Sequence, residues 1–391
     1  MNVTILGAGL MGKEIARDMV NSSKVEHVYL ADLNVEQAQK FVDHLNTDKV
    51  EVLKVDANDE EQLRDVMSKA DVVVNALFYS FNLRVAKMAI EIGVHSVDLG
   101  GHIDGITDEV LKLNDQAKEK GVTIIPDLGV APGMTNILAG YGASKLDHVS
   151  GMKLYVGGIP TVKQPPLNYN VVFSLDGVFD HYTNPSVIIR DGIFRELPSL
   201  TEVENLYFPG YTGLEAFLTS GGLSTLPQSF PKLQSLEYKT IRYAGHAERF
   251  KLLVDLGLTK KENLVTLNDG QTVEMRDVLK NYLNDKLQLG DKEDVVLLRV
   301  EVHGEANEER ASFQYEMVTY RDKNSSVTAM ALATATTISV VAQLVGDGTI
   351  TERGVIPPEK AVPGEAYMNE MNHHGVTITE TMLLSTNIIK G

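Results

Sequence analysis

Three stretches carry residue types and spacings that could do chemistry. The first is Gly7-Ala8-Gly9-Leu10-Met11-Gly12, with an acidic residue, Asp32, ending a second apolar run about 20 residues on, as the dinucleotide fingerprint requires. In this G-x-G-x-x-G spacing the glycines serve a tight turn, the approach of backbone to a pyrophosphate, and close packing of the helix that follows. The helix N-terminus, with Leu10 and Met11, then receives the anion. The stretch therefore predicts a nicotinamide or flavin nucleotide site. A carboxylate at Asp32 accepts hydrogen bonds from adenosine ribose hydroxyls and repels a 2′-phosphate, which favours NAD over NADP; it also suits a helix cap before Asn34 and Val35, and the two roles are compatible. Asp56 and Ala57, after a third strand, lie where an adenine ring would pass or else form a solvated turn. Asn75-Ala76-Leu77 ends a fourth strand at the sheet edge where ligands collect.

The second stretch runs from His95 to His102 and ends a strand in Asp98-Leu99-Gly100-Gly101-His102, bringing backbone and ionisable groups toward a nicotinamide. With it belongs Pro126 to Gly133, where Asp127 is the acid and Gly133 opens a helix N-terminus to a ligand. The third is Tyr238 to His246, which sets Arg242 and His246 at and just past the end of a strand. A guanidinium at Arg242 can bind a carboxylate bidentately or pair with one of the many acids of the surface. His246 and His102 read equally as acid–base groups and as hydrogen-bonded structural histidines.

The elements that must position these residues alternate regularly at first. Strands over Val3 to Leu6, His27 to Ala31, Val50 to Val55, Asp71 to Leu77, His95 to Leu99 and Val122 to Pro126 are separated by helical spacings, which predicts a doubly wound parallel sheet over residues 1–128. Longer strand-like runs follow: Gly151 to Val156, Tyr169 to Ser174, Ser235 to Tyr243, Val295 to Val302 and Ser312 to Tyr320. They predict a second, α+β domain with a mostly antiparallel sheet over residues 129–325. Gly157 to Pro166 and Asn205 to Gly213 read as connecting loops or lids. An apolar helix from Val327 to Val345 and the tail (residues 326–391) are expected to pack back on the first domain.

Composition narrows the partners. A formal net charge of −17, from 36 Lys and Arg against 53 Asp and Glu, argues against nucleic acid and anionic membranes. With no cysteine there is no disulfide, no thiolate metal site and no cysteine nucleophile, which fits a reducing cytosol. The first strand starts at once, without the charged and apolar segments of a signal peptide, so a cytoplasmic location is expected. His373-His374 lacks metal-ligand spacing and reads as a solvated helix end, so no metal is expected.

Taken together, the glycine loop, the Asp98 to Gly101 turn, the Pro126 to Gly133 segment and Arg242-Tyr243-Ala244-Gly245-His246 resemble the saccharopine dehydrogenase superfamily, and within it the lysine 6-dehydrogenase branch. Val74 to Tyr79, Ile124 to Gly133 and Leu154 to Pro160 share the likeness, which extends to Glu365-Ala366-Tyr367-Met368. The resemblance implies a Rossmann fold with NAD as cofactor, a substrate cleft beside the second sheet, and homodimers or larger homo-oligomers. It implies oxidative deamination of the lysine side-chain amine to 2-aminoadipate 6-semialdehyde, with ammonia and NADH released and the aldehyde cyclising to piperideine-6-carboxylate. An ammonium cannot expel hydride from its own carbon, so a base is needed; the candidates are His246, His102, Asp98 and Asp127. Arg242 is the candidate for the substrate carboxylate. Phe173, Ser174 and Thr219 lie in stretches like the superfamily's substrate pockets, or else in an ordinary strand end and a glycine turn. Two rivals remain: formation of saccharopine or carboxynorspermidine by reductive condensation, and a dinucleotide-binding sensor without turnover.

Overall fold

The computed structural model describes residues 1–100, 105–172, 174–322 and 327–385. The described residues form two compact units: those within 1–144, 224–229 and 331–378 make the first, and those within 145–223, 230–330 and 379–385 the second.

Short β-branched runs build the first unit. Strands β1 (Asn2–Leu6), β2 (His27–Asp32), β3 (Val50–Lys54), β4 (Val72–Asn75), β5 (His95–Asp98) and β6 (Thr123–Ile125) alternate with helices α1 (Leu10–Asn21), α2 (Val35–Leu45), α3 (Glu60–Met67), α4 (Asn82–Ile92), α5 (Ile106–Leu111) and α6 (Asn114–Lys120). Val72, Val73 and Val74 are buried whichever way they point, the mark of a parallel strand covered on both faces. Helix α7 (Met134–Ser144) closes this part of the unit, so the unit runs past Leu128.

The second unit holds β7 (His148–Pro160), α8 (Leu175–Thr183), β8 (Ser186–Arg190), β9 (Ile193–Leu197), β10 (Glu204–Phe208) and β11 (Tyr211–Leu218). After the short α9 (Leu226–Ser229) come β12 (Ser235–Tyr243), α10 (His246–Asp255), the small hairpin β13 (Leu264–Thr266) and β14 (Thr272–Glu274), α11 (Met275–Lys286), β15 (Asp294–Ala306) and β16 (Glu309–Tyr320). The order in its main sheet is β10-β11-β12-β7-β15-β16, with β8 also on β12. The β12 and β7 pair is parallel; β7 with β15, β15 with β16, β10 with β11, and β11 with β12 are antiparallel. On the helical side Tyr169, Phe179, Tyr182, Phe217 and Phe250 form an aromatic core with Leu175, Val178 and Leu283.

The chain then returns through α12 (Ala329–Gly346), β17 (Gly354–Val355), α13 (Pro358–Ala361), α14 (Gly364–His373) and β18 (Ile378–Ser385). β17 adds to the edge of the parallel sheet beside β6, giving the order β17-β6-β5-β4-β1-β2-β3; β18 joins the other sheet beside β16. Helix α12 has the length and composition to cross a membrane, but 83% of it is buried within the protein. Ser339 on this helix donates to Asp18 of α1, Ser22 donates to Gln343 at 2.6 Å, and Gly346 leaves no room for a side chain beside Met1 and Val72.

Four sequence expectations differ from this architecture. Tyr169 to Ser174 is not a strand: Val171 makes one bridge to Gln288, and α8 begins directly after Ser174. Gly157 and Gly158 belong to β7 and not to a loop, because a Cβ at Gly157 would lie 2.3 Å from the Ile241 carbonyl oxygen and one at Gly158 2.8 Å from Met330. Asn205 to Gly213 is mostly the β10–β11 hairpin, turned by Pro209 and a left-handed Gly210. His374 is no solvated end, since its Nδ1 lies 2.6 Å from Asp18 Oδ1 on α1.

Candidate active site residues

The glycine loop stands at the carboxyl end of β1, which lies between β4 and β2 at the point where the strand order reverses. Gly7 adopts φ +94, and a Cβ there would lie 3.0 Å from the Ala76 carbonyl oxygen. At Gly12 a Cβ would meet the Gly7 carbonyl at 1.8 Å, so the helix can pack this closely only with glycine; at Gly9 nothing lies within 4 Å, leaving the backbone open to a ligand. Leu10 and Met11 start α1, and Leu10 is exposed. A pocket beside the loop is lined by Gly7, Asp32, Leu33, Asp56, Ala57, Leu77 and Phe81, among others. Asp32 Oδ2 accepts from the Ala8 amide at 2.6 Å and Oδ1 from the Asn34 amide at 2.7 Å, while Asn34 caps α2. A carboxylate has about four lone-pair positions, so acceptor capacity remains for ribose hydroxyls. Open backbone, helix terminus and acidic wall fit a dinucleotide.

At the ends of the next strands is a buried polar network. Asn75 Nδ2 donates to Asn82 Oδ1 at 2.8 Å, and Asn82 Nδ2 donates to Asp98 Oδ1 at 3.1 Å. Asp98 Oδ1 also accepts the Asp127 amide at 3.1 Å. Asp127 adopts φ +62 and is fully buried, with Oδ1 accepting from Thr107 at 3.0 Å and Oδ2 from Ser224. Burial, and then the Asp127 charge, push the Asp98 carboxyl up to about 7, into the range where a group can both give and take a proton at neutral pH. Gly100 is required here, because a Cβ would lie 1.9 Å from Asp127 Oδ1. Leu99 continues the β5 ladder through its amide to the Asn75 carbonyl. The Asn75 side chain, expected to face the cofactor, is engaged within the protein: besides donating to Asn82 it accepts the Leu77 amide at 3.2 Å.

In the second unit, Arg242 near the end of β12 is buried. Its Nη1 donates to its neighbour's carbonyl, Ile241, at 2.8 Å, and its guanidinium lies 4.8 Å over the Tyr169 ring. Among the described residues it makes no ion pair, and neither Arg242 Nε nor the Tyr169 hydroxyl has a hydrogen-bond partner. Glu215 sits opposite Arg242 in the β11–β12 register, but its carboxylate accepts from the Gly245 and Ala247 amides at 2.8 and 2.7 Å, at the start of α10. His246 is fully buried among Tyr169, Tyr182, Phe217 and Phe250, and burial, then the Arg242 charge, lower its pKa to about 3. Thr219 bonds Thr240 on β12 at 2.7 Å, and Gly222 packs on the Tyr238 ring.

Two comparisons cover almost the whole of this framework. A model of the saccharopine dehydrogenase C-terminal domain matches residues 129–376, and one of the saccharopine dehydrogenase NADP binding domain matches residues 3–125. The chain belongs to the saccharopine dehydrogenase family. Its relatives in the family include saccharopine dehydrogenase (NADP(+), L-glutamate-forming) of Pyricularia oryzae, 26% identical over 67% of this chain and 58% of the relative, and that of Saccharomyces cerevisiae, 25% identical over 75% and 66%. The chain thus spans less than two thirds of the length of these two relatives. Carboxynorspermidine synthase of Vibrio cholerae is 22% identical over 74% of both chains. The structure of apo saccharopine dehydrogenase (L-Glu forming) from Saccharomyces cerevisiae shares the fold, with a TM-score of 0.81 over 98% of this chain and 99% of that one at 18% identity.

Within this family framework, the residues singled out in the sequence fall into separate groups. Gly7, Gly9, Gly12, Asp32, Asp56, Ala57, Ala76 and Leu77 gather at the loop and its pocket, and Asp98 and Asp127 form one network. Arg242, His246 and, through Thr240, Thr219 belong to one neighbourhood of the second unit. At Gly133 a Cβ would lie 2.3 Å from the Gly129 carbonyl oxygen, and its amide donates to Asn136, so glycine is demanded by its own loop. Ser174 starts α8 without capping it. His102 and Phe173 lie outside the described residues. Sequence reasoning missed Asn82, Thr107 and Ser224 around the aspartates and Tyr169, Tyr182 and His181 around Arg242. Only α8 left a usable signal, a serine followed by an acid in the first turn, which marks a helix start.

Proposed function

We propose that this chain is an NAD-dependent amino-acid dehydrogenase that oxidatively deaminates the ε-amine of L-lysine, giving 2-aminoadipate 6-semialdehyde, ammonia and NADH, with the aldehyde cyclising to piperideine-6-carboxylate. The observation that carries the reading is Arg242, a buried guanidinium without an ion-pair partner among the described residues. Burying an uncompensated charge is costly, and an amino-acid carboxylate is the natural compensation. Asp32 supports NAD, since its carboxylate at the pocket wall would repel a 2′-phosphate. The bound dinucleotide supplies the hydride acceptor. The substrate ammonium must first lose a proton, and Asp98, held near 7, has the proton affinity for such a transfer at neutral pH. Gly7, Gly9, Leu10, Met11 and Gly12 hold the pyrophosphate in this reading. A homo-oligomer and a cytoplasmic location belong to it as well; light scattering checks the former.

The second reading is reductive condensation to saccharopine or carboxynorspermidine. It is favoured by the match to an NADP binding domain and by the names of the relatives. Reduced-nicotinamide absorbance with NAD and L-lysine, against NADP and saccharopine, separates the two. A rise with NAD and lysine together with released ammonia supports deamination; turnover of saccharopine alone moves the chemistry to the condensing branch. Nucleotide binding without turnover of either leaves the sensor. Arg242→Ala should raise KM for lysine roughly 10- to 100-fold, the loss of a charge-assisted bond, and leave KM for NAD unchanged. Unaltered lysine kinetics would remove Arg242 from the site.

A further inference from the structure

We propose that Tyr182 and His246 form an uncharged positioning relay that holds Arg242 in place for a carboxylate, and that His246 exchanges no proton during the reaction. The inference rests on the reading of Arg242 given above.

The relay is ordered by hydrogen-bond chemistry. His246 Nδ1 lies 2.9 Å from the Leu167 carbonyl oxygen, which can only accept, so Nδ1 carries the ring proton. Nε2 then presents a lone pair, and the Tyr182 hydroxyl at 3.1 Å donates to it. With its proton committed, the Tyr182 oxygen has only lone pairs to offer the Arg242 guanidinium, which lies 4.8 Å over Tyr169, the ring that meets His246 edge-on at 5.5 Å. A backbone carbonyl thus sets a tautomer, the tautomer sets a hydroxyl, and the hydroxyl keeps only acceptor capacity for the cation. Rings fix the geometry: Phe217 stacks on His246 with centroids 6.2 Å apart, and Phe250 meets Tyr182 edge-on at 4.8 Å.

Neutral partners matter because a carboxylate at either position would neutralise the guanidinium before substrate arrived. The acid nearest in the ladder, Glu215, is committed to the start of α10. Among the described residues, the other titratable groups that act on Arg242 or feel its charge are Tyr169, Tyr238 and His181, none of them an acid at neutral pH; Arg249 adds a second positive influence on His246. An imidazole enclosed by aromatic rings, beside a guanidinium, and with both nitrogens engaged has neither the affinity nor the access to act as a base. His246, expected from its position in the sequence to be an acid–base candidate, is a positioning residue.

Three variants test this in steady-state kinetics with NAD and lysine. Tyr182→Phe and His246→Leu break the relay and should raise KM for lysine about tenfold, with kcat changed by less than about threefold. His246→Gln, whose amide oxygen can still accept from Tyr182, should restore most of the KM and keep the wild-type pH profile of kcat/KM. A His246→Gln variant that loses kcat by orders of magnitude together with one limb of that profile would make His246 the base and overturn the proposal. Unchanged KM in Tyr182→Phe would also overturn it. Histidine ¹⁵N NMR of the full chain, assigned by difference from His246→Gln, decides the relay even if lysine is not a substrate. His246 should remain the neutral Nδ1–H tautomer from about pH 5 to pH 9, with an Nε2 shift that moves in Tyr182→Phe. Titration of His246 inside that window would refute the relay, whereas a silent lysine assay with the expected spectrum would refute only the substrate.

Discussion

Replacing Asp98 by asparagine should stabilise the first unit at neutral and alkaline pH. The Asp98 carboxyl is buried beside Asp127 and titrates near 7, against 3.8 as its ordinary value. Because the folded value is raised, the unfolded chain releases this proton first as pH rises, so the group lowers stability progressively from about pH 4 to about pH 7, and the penalty is constant above that. At about 1.4 kcal/mol per tenfold change in proton affinity the ceiling is roughly 4 kcal/mol. Asparagine keeps the acceptor that Asn82 and the Asp127 amide use and carries no charge to be repelled by Asp127. Part of the ceiling is offset by imperfect geometry, so a gain of about 2 kcal/mol at pH 8 is expected, shrinking to a few tenths at pH 4. Hydrogen exchange by mass spectrometry on peptides covering β5 and β6 reads this unit separately, which matters because two compact units need not unfold together. A gain of the same size at pH 4 and pH 8, or a loss that grows with pH, would refute the argument that burial and a neighbouring charge govern Asp98.

Two further outcomes follow from buried geometry. The hydrogen bond to Asp18 holds His374 above its ordinary range, so this pair contributes stability below about pH 6.5 and loses it as pH rises through the raised folded value. His374→Gln should therefore cost about 1 kcal/mol at pH 6 and almost nothing at pH 9 in thermal melts. Gly100→Ala forces an L side chain into φ +64 with its carbon against Asp127, and should cost about 2 kcal/mol or more; Gly9→Ala, with open space around it, should leave the melt nearly unchanged and weaken nucleotide binding instead. Equal melting of the two variants would contradict the packing argument.

The parallel sheet was readable because each of its strands is a short apolar run between helical spacings, a pattern local to about 20 residues. The places of Gly7, Gly12 and Asp32 were readable for the same reason: spacing alone puts one glycine in the turn, one where α1 packs on the loop, and the acid at the end of β2. Reading failed where glycine and proline were taken as loop markers. Gly157 and Gly158 lie in a strand because Ile241, Met330 and Val172 leave no room for a side chain there, and Tyr169 to Ser174 resembles a strand because Tyr169 and Val171 are apolar for an aromatic core instead of for a ladder. The 224–229 segment gave no sign of joining the first unit, since Ser224, Thr225 and Ser229 gain meaning only from the Asp127 and Glu359 carboxylates they meet.

What the sequence by itself determined is the dinucleotide cradle, the family and the presence of Asp98, Asp127, Arg242 and His246 in chemically suggestive places, because these depend on local spacing and residue type. Tertiary structure alone decided what each of those groups can do. Tyr182 reaches His246 across 64 positions and Ser224 reaches Asp127 across 97, and no periodicity encodes such pairings. Burial and hydrogen-bond partners set proton affinity, so an aspartate near 7 and a histidine near 3 emerge only when the fold has removed water from both.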